Sequence, residues 1–515
     1  MGGSNGVVWV RAAALAALAW TAVAAAAGAA PSSWVFYDAS GRLVYRTWGD
    51  GNTIMDFSHA GYGGGGVALP DVPAVRTLDP SGGDDSAALQ NAIAAVAARP
   101  LQDGFRGALQ LGAGTFQVSR QINVGASGVV IRGAGSGGKG TVIRVTAGSP
   151  ITLFSVKGSG SPSESGAVEI ADSFVPSGAL SFEVRDAAGF KAGDTVIVSR
   201  PVTRAWIELL GMDDLVRDGR RQTWLRPGSR ITTDRTVRAV SGNRITLDVP
   251  LTDSFDARVL GSPVGTVARY TWPGRISQVG LERLRIRMPA VATSYRSIVM
   301  DAVFDAWLRD LVVQDGVNCI SVAKDSRRVT LDQVQVTHTV PSTAAAGPAD
   351  FTCTGTQVLF NKCQALGTGS WPFATQSTGS GPIVVLNFHS TQRAGISPHQ
   401  RWTTGILADH CTLPNAPRRT QGIAYRNRGT AGSGQGWTTG WSVAWNVTTP
   451  FFLVSAAAGT QNWCIGCIGE RTSISDADGI YESLGSAVSL GATNSLYLEQ
   501  LRARLGSQAL ARIGY

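Results

Sequence analysis

One apolar-x-x-apolar motif recurs eight times in the second half of this 515-residue chain. The copies begin 21 to 37 residues apart. A shortest period in the low twenties, with longer intervals taken up by loops, is what a β-solenoid requires, because each coil has a fixed minimum length. The copies begin at Leu281, Leu308, Leu331, Phe360, Leu386, Leu407, Ala444 and Ile465. The recurrence predicts an all-β stack of coils.

Two neighbouring copies of the motif end in a histidine instead of an apolar residue. These are His389 and His410, and the preceding copy ends in Cys363. We expect both histidines to face the interior of the stack and to form a ladder with Cys363. The interpretation assigns them a core role, not a catalytic one.

Composition agrees with a β-rich chain full of turns. The sequence has 63 glycines, five methionines and only 16% charged residues, together with many short Val/Ile/Leu runs. The length could hold two to four average domains, but a single elongated β domain with an insertion fits equally well.

The N-terminal segment has the pattern of a secretory signal. Residues 12–27 form an apolar run, preceded by Arg11 and followed by small residues up to Ala29. A membrane anchor is the alternative, but the run is short and mostly alanine, which partitions weakly into lipid. We therefore predict a secreted, extracellular protein that has no membrane attachment once residues 1–29 are removed.

A helix is predicted shortly after this segment. Asp84 and Asp85 suit a helix N-terminus, and Leu89, Ile93 and Val96 recur with helical spacing. Pro100 then ends the pattern.

Short strands separated by glycines follow the helix. The sequences LGAGTFQVS (111–119) and GVVIRGAG (128–135) resemble the start of the pectate-lyase superfamily. This resemblance implies a right-handed parallel β-helix whose N-terminal end is closed by the helix. It implies little about the substrate.

The middle of the chain alternates like a half-buried antiparallel sheet, with a hairpin signal at Ser241. We divide the chain into a signal peptide (1–29), an N-terminal cap with the first coils (30–179), an inserted β module (180–270) and C-terminal coils (271–515). A charged loop inside the module, residues 206–226, either leans over a substrate cleft or is simply solvated.

Residues 397–446 concentrate positive charge and aromatic side chains. Asp409 is the only acidic residue between positions 351 and 468. Seven basic residues lie in that interval: Lys362, Arg393, Arg401, Arg418, Arg419, Arg426 and Arg428. With a net charge of +9, this indicates an anionic partner, either nucleic acid or acidic polysaccharide. The predicted secretion favours polysaccharide and argues against nucleic acid.

Four motifs in this region resemble those of bacterial and algal β-helix proteins related to polysaccharide lyases. They are PHQRWTTG (398–405), NRG (427–429), GxGWxxxxxVxWN (434–446) and QNWCIGC (461–467). In that pattern the position of Gln435 is often histidine, so this chain departs from it there.

The residue types suit β-elimination of a uronic-acid polymer, which needs a carboxylate-neutralising group, a base and an acid. We predict His399 as the base, Arg401 and Arg428 as carboxylate partners, and Tyr425 as the proton donor. A purely structural role of His399 in its own loop stays open. Substrate-binding roles are predicted for Trp402, Arg426, Asn427, Trp437 and Trp441, with aromatic stacking inside the solenoid as the alternative for the tryptophans.

Two other functions remain open on the same scaffold. A glycoside hydrolase needs a pair of carboxylates, and the candidates are Asp301, Asp305, Asp310 and Asp315. The other is a non-catalytic wall or matrix protein that binds polysaccharide. No cofactor or metal site is predicted, because no motif supports calcium. The protein is expected to be a monomer.

Six cysteines in a secreted chain allow disulfides. Cys353 and Cys363 form the closest pair in sequence outside the Cys464–Cys467 motif, so a disulfide between them is plausible. For Cys464 and Cys467, structural burial or a disulfide is favoured over a metal or redox site, because a second such motif is absent from the sequence.

Overall fold

The computed structural model describes residues 29–291, 295–341, 349–368 and 371–515. The predicted signal peptide therefore lies outside the described residues, except for Ala29. Among the described residues, no helix has the length and apolar character needed to cross a membrane.

The chain forms a right-handed parallel β-helix, as predicted. Strands of successive coils pair in register; for example, Leu281 lies beside Leu308, and Leu308 beside Leu331. The main sheet consists of Ala74–Leu78, Gly107–Leu111, Gly114–Val118, Val129–Arg132, Thr141–Val145, Ile276–Arg287, Val303–Gln314, Arg327–His338, Thr356–Asn361, Gln364–Gly367, Gly379–Leu386, His389–Ser390, Thr403–Asp409, Thr439–Gly440, Val443–Trp445, Trp463–Ile465 and Ile480–Glu482.

Two further sheets complete the coils. A six-stranded sheet contains Ile122–Val124, Thr152–Lys157, Arg296–Asp301, Ile320–Val322, Ala349–Cys353 and Trp371–Ala374. A three-stranded sheet contains Ile423–Tyr425, Thr448–Val454 and Ile468–Arg471. Bridges from Phe373 to Ile396 and from Ile396 to Ile423 link the two. The interior between the sheets is a single apolar core, and burial of this apolar surface is the main stabilising contribution.

The predicted register of the motif is wrong by one residue in the late coils. The interior pairs there are Val385 with Phe388, and Ala408 with Cys411. His389 instead pairs with the exposed Gln364. His410 remains about one-third exposed and contacts Asp409 through Nδ1 at 2.8 Å. The predicted inward histidine ladder is therefore not formed.

A sharp bend inside each motif explains this arrangement. In the observed register, where the copies begin at Val385 and Ala408, the third residue of the motif has a positive φ, for example 50° at Asn387 and 53° at His410. Equivalent bends occur at Arg283, Asp310, Gln333, Lys362, Asn446 and Gly466. The bend turns the third side chain outward and returns the fourth to the core.

Residues 35–64 and the two C-terminal helices cover the outer face of the main sheet. Leu386, Leu407 and Trp445 point away from the interior and pack against the N-terminal segment and the C-terminal helices. The elements are Val35–Tyr37, Leu43–Tyr45, Thr47–Trp48, Asn52–Thr53, the 3-10 turn Tyr62–Gly64, and the helices Leu496–Leu505 and Ser507–Arg512. Asp409 is fully buried here, and its Oδ2 accepts hydrogen bonds from Ser495 and Tyr497 at the start of a helix.

The predicted N-terminal helix spans Ser86–Ala97 and places Leu89, Ile93 and Val96 against the interior core. The Asp84 carboxylate, not that of Asp85, accepts the Ser86 N–H at 3.0 Å.

A six-stranded antiparallel sheet interrupts the stack. Its strands are Ser163–Glu169, Ser181–Glu183, Thr195–Pro201, Arg230–Ser241, Arg244–Leu247 and Thr266–Thr271. The first of them lies before residue 180, where the module was predicted to begin. Smaller elements are Phe174–Val175 with Phe255–Asp256, Val216–Arg217 with Arg220–Arg221, and the helices Arg204–Leu209 and Ala257–Leu260. The module core includes Trp402 and Trp437 from the late coils, so the module packs directly on the predicted binding stretch.

All six cysteines are buried and free, so the plausible disulfide between Cys353 and Cys363 is not formed. Both side chains fill the interior as packing residues. The Cys363 thiol lies 3.4 Å from the Leu331 carbonyl oxygen. Burial in an apolar core raises the thiol pKa, to about 12 for Cys353.

Candidate functional site

Two loops, residues 391–402 and 426–438, bring the predicted binding residues together beside the inserted module. The second loop is closed by Arg428, whose backbone N–H donates to the Gly436 carbonyl oxygen at 2.8 Å. Gly436 has φ 54°, and a Cβ there would lie 2.4 Å from Cδ1 of Trp224. A glycine is therefore required where this loop touches the module.

A chain of hydrogen bonds connects His399, Gln435 and Arg428. Arg428 Nε donates to Gln435 Oε1 at 2.5 Å, and Gln435 Nε2 lies 2.7 Å from His399 Nε2. Because the amide oxygen accepts from arginine, the amide nitrogen donates to the imidazole. His399 Nε2 is then the unprotonated nitrogen, and Nδ1, which is buried without a partner, carries the proton.

His399 is neutral at physiological pH. Burial lowers its pKa to about 4, and the positive charges of Arg428 and Arg401 act in the same direction. Burial also lowers the Arg428 pKa, to about 10, so this guanidinium keeps its charge at pH 7. The site places a neutral imidazole among cations.

A cavity of about 300 Å³ opens around these side chains. Its polar and aromatic lining residues are Arg217, Trp371, Ser397, His399, Arg428 and Gln435. None of the described residues that line it carries a carboxylate. The combination of cationic donors and one half-buried tryptophan suits an anionic sugar ring.

Three lining residues were absent from the sequence prediction. Trp371 comes from a strand on the coil directly before that of His399, Ser397 precedes the PHQRWTTG motif, and Arg217 belongs to the module. The charged character of residues 206–226 was the only sequence signal for Arg217. Their proximity depends on how the coils and the module stack.

Tyr425 and Trp402 do not reach this cavity, contrary to the prediction. Tyr425 is fully buried in the interior core, where its hydroxyl lies 3.3 Å from the Val443 carbonyl oxygen, and burial raises its pKa well above the ordinary value. Trp402 is fully buried in the module interface and donates Nε1–H to Asp253 Oδ2 at 2.7 Å. A proton donor and a sugar platform both require exposure.

Trp437 and Trp441 are also packing residues. Trp437 is buried against the module and donates to the Leu210 carbonyl oxygen at 3.2 Å. Trp441 is buried and donates to Asp253 Oδ1 at 3.1 Å. Their sugar-binding prediction is therefore not supported by their positions.

The remaining predicted residues lie beside the cavity. Arg401 donates Nη2–H to the Ser433 carbonyl oxygen at 2.9 Å. Arg426 is half-buried. Burial lowers its pKa, although the negative charge of Asp476 acts in the opposite direction. Asn427 Oδ1 accepts the Gly429 N–H at 2.8 Å, so it stabilises its own loop. Neither Arg426 nor Asn427 lines the cavity around His399.

The four aspartates proposed for hydrolysis or calcium each have a separate structural partner. Asp301 pairs with Lys157 at 3.0 Å and Asp305 with Arg328 at 2.9 Å. Asp310 accepts from Ser136 at 2.5 Å, and Asp315 accepts from Thr339 at 2.7 Å. No two of these four carboxylates share a cavity among those described.

Carboxylates do line another cavity, of about 370 Å³, between the module and the stack. Glu164 there is held by both terminal nitrogens of Arg230, and Asp234 is bonded to arginines. Asp325 is exposed; partial desolvation, then the nearby charge of Asp301, raises its pKa. One free carboxylate does not make the pair that glycoside hydrolysis needs.

One group of metal-type ligands occurs among the described residues. Cys319, His338 and Asp350 lie in the interior with ligand atoms within 4.8 Å of one another. His338 Nε2 already lies 2.7 Å from Asp350 Oδ1, and Gln392 donates to Asp350 Oδ2. Both oxygens of Asp350 and Nε2 of His338 thus have direct hydrogen-bond partners, as is usual for buried polar groups.

Comparison with known proteins finds no matching family model and no matching curated protein. Among solved structures, the chain is similar to the tailspike gp49 from Pseudomonas phage LKA1 (15% identity; 79% of this chain and 75% of that chain; TM-score 0.34). It is also similar to the A-module of the mannuronan C-5 epimerase AlgE6 from Azotobacter vinelandii (11% identity; 80% of this chain and 96% of that chain; TM-score 0.25). A third similar structure is PfbA, a surface adhesin of Streptococcus pneumoniae (7% identity; 81% of this chain and 93% of that chain; TM-score 0.28). At these identities and TM-scores the likeness assigns no activity to this chain, and membership of the pectate-lyase superfamily stays a prediction.

Proposed function

We propose that this protein binds an acidic polysaccharide at the His399 cavity and cleaves it by β-elimination. The observation that carries the proposal is a neutral histidine held between cationic arginines in a cavity that no described carboxylate lines. Such a site attracts a uronate, and its base is unprotonated at neutral pH. The secretion predicted from residues 12–27 would bring the protein to extracellular polymers.

The elimination uses few groups. Arg428 and Arg217 donate hydrogen bonds to the uronate carboxylate, which stabilises the negative charge that develops when the C5 proton leaves. His399 Nε2 accepts that proton, the C4–O bond breaks and a C4=C5 double bond forms. The resulting imidazolium then returns its proton to the leaving oxygen. Before His399 Nε2 can accept the C5 proton, Gln435 must release its hydrogen bond to Nε2. The incoming substrate then takes the place of Gln435.

Product analysis tests the reaction type. Incubation with pectic, alginate, glucuronan and sulfated polysaccharides should give products with the ultraviolet absorbance of an unsaturated uronate, together with new reducing ends. New reducing ends without this absorbance would establish hydrolysis and overturn elimination. If neither signal arises from any of these polymers, elimination of them is contradicted and a binding role replaces it.

Replacement of Tyr425 should leave this activity intact. Tyr425→Phe removes a hydroxyl whose one hydrogen bond is long, at 3.3 Å, so stability should fall by about 1 kcal/mol or less. The rate of double-bond formation should stay within about two-fold of the unmodified protein, since the ring does not reach the cavity. A large loss of rate with unchanged stability would return Tyr425 to the role of proton donor.

A further inference from the structure

A second, larger cavity continues from the His399 cavity. Its volume is about 1020 Å³, and the two share Arg217 and Gly432. Its five arginines are Arg217, Arg220, Arg221, Arg226 and Arg401, and Asp218 is its one lining carboxylate. We refer to these five arginines and the space between them as the arginine groove.

A small hairpin of the module supplies three of these arginines. Val216–Arg217 pairs with Arg220–Arg221 across a turn at Asp218 and Gly219, which have φ 52° and 71°. The Asp-Gly pair is the sequence preferred in such a two-residue turn. Arg217 donates Nη1–H to the Gly432 carbonyl oxygen at 3.0 Å, so the hairpin is attached to the loop that carries Arg428.

The register of the hairpin places Arg217 directly opposite Arg220. Like charges in a cross-strand pair destabilise a hairpin. The nearest compensating negative charge is that of Asp218, which lies 3.5 Å from Arg217 and is largely exposed. The arrangement thus costs folding stability unless an anion binds there.

The other groove arginines have no acidic partner. Arg220, Arg221 and Arg226 are exposed, and none lies within ion-pair distance of a carboxylate in the described ranges. Arg230, a few residues further on, is by contrast neutralised by Glu164 at 2.6 Å. Positive charge without an acidic partner therefore lines the groove.

We propose that the arginine groove binds successive anionic groups of the polymer whose reacting sugar occupies the His399 cavity. This inference rests on the proposed function and deepens it: the ligand is a chain with repeated carboxylate or sulfate groups, not a single sugar acid. A single-stranded nucleic acid is less suited, because bases need exposed aromatic faces for stacking. The one aromatic ring lining the groove, Trp224, is 1% exposed.

Binding of a catalytically silenced protein tests the inference separately from cleavage. The full-length His399→Ala protein is titrated with polygalacturonate and alginate at several NaCl concentrations. Adding Arg220→Gln, Arg221→Gln and Arg226→Gln together should raise the Kd at least about ten-fold and make its dependence on NaCl shallower, since fewer counterions are released. The matched control replaces Arg76, Arg120 and Arg144, three exposed arginines on the N-terminal coils, and should leave the Kd within about two-fold.

Each outcome separates the two proposals. Arginine-dependent binding by the His399→Ala protein, without elimination products from the unmodified protein, supports the groove and overturns the lyase. If the unmodified protein gives elimination products but the groove substitutions leave the Kd unchanged, the proposal that the arginine groove binds the polymer is overturned. Tighter binding of an oligo(dT) than of either polyuronate, or no binding to either, also contradicts the inference. Circular dichroism of each variant establishes that it is folded.

Discussion

Asp234→Ala should destabilise the protein by about 3–5 kcal/mol, because it removes the counter-ion of the buried Arg275 and one of the two carboxylate partners of Arg327. Asp234 Oδ2 lies 2.7 Å from Arg275, Oδ1 lies 3.0 Å from Arg327, and the Tyr270 hydroxyl donates to Oδ1 at 2.9 Å. Arg327 is fully buried. Asp248 then remains as its one carboxylate partner.

The effect should extend to the candidate site, because this network joins the module to the stack. Asp234 lies on the module strand Arg230–Ser241, and Arg327 begins the main-sheet strand Arg327–His338. Loss of the link should loosen the module, and with it Arg217 and Trp224. We expect weaker polyuronate binding in addition to the loss of stability.

Urea denaturation followed by circular dichroism measures the change in free energy of unfolding. The matched control is Glu169→Ala, which breaks the exposed module pair with Arg185 and should cost at most about 1 kcal/mol. Equal effects of the two substitutions would contradict a structural role for the buried network.

The sequence predicted the architecture but not the register of its late coils. In a sheet with one solvated face, alternation of apolar and polar residues identifies the inward side chains. Here Leu386, Leu407 and Trp445 are buried on the outer face by residues 35–64 and the C-terminal helices. Apolar and polar residues therefore no longer alternate along these strands. The positive-φ bend residue was the better signal, because Asn387 and Asn446 favour that conformation.

Only part of the candidate site was predictable from the sequence. His399 and Arg428 were singled out from one basic stretch, and the fold places them together through Gln435. Trp371 and Arg217 were missed because proximity between coils, or between module and coil, is not encoded in local spacing. Tyr425 was misassigned because a buried aromatic residue and an exposed one look alike in sequence.

His399→Ala should lower the rate of elimination by about 10²–10⁴-fold, the usual contribution of a general base. The unmodified protein should show an acid limb in kcat/KM with its midpoint near pH 4, since burial and the neighbouring arginines lower the His399 pKa to about 4. The sign follows from the neutral form being the active one: activity is lost as the pH falls through the His399 pKa and is flat from about pH 5 up to about pH 9, below the Arg428 pKa of about 10. A midpoint near the ordinary histidine pKa of 6.5 would contradict the assignment.

Gln435→Glu tests the same base without removing it. A carboxylate in place of the amide that now lies 2.7 Å from His399 Nε2 favours the imidazolium, so the acid limb should move upward by about one to three pH units. The control is His389→Ala, which removes a half-buried histidine outside the cavity and should leave both rate and pH profile unchanged. If Gln435→Glu leaves the acid limb near pH 4 while the protein stays active and folded, the limb belongs to a group other than His399, and the base must be sought elsewhere in the cavity.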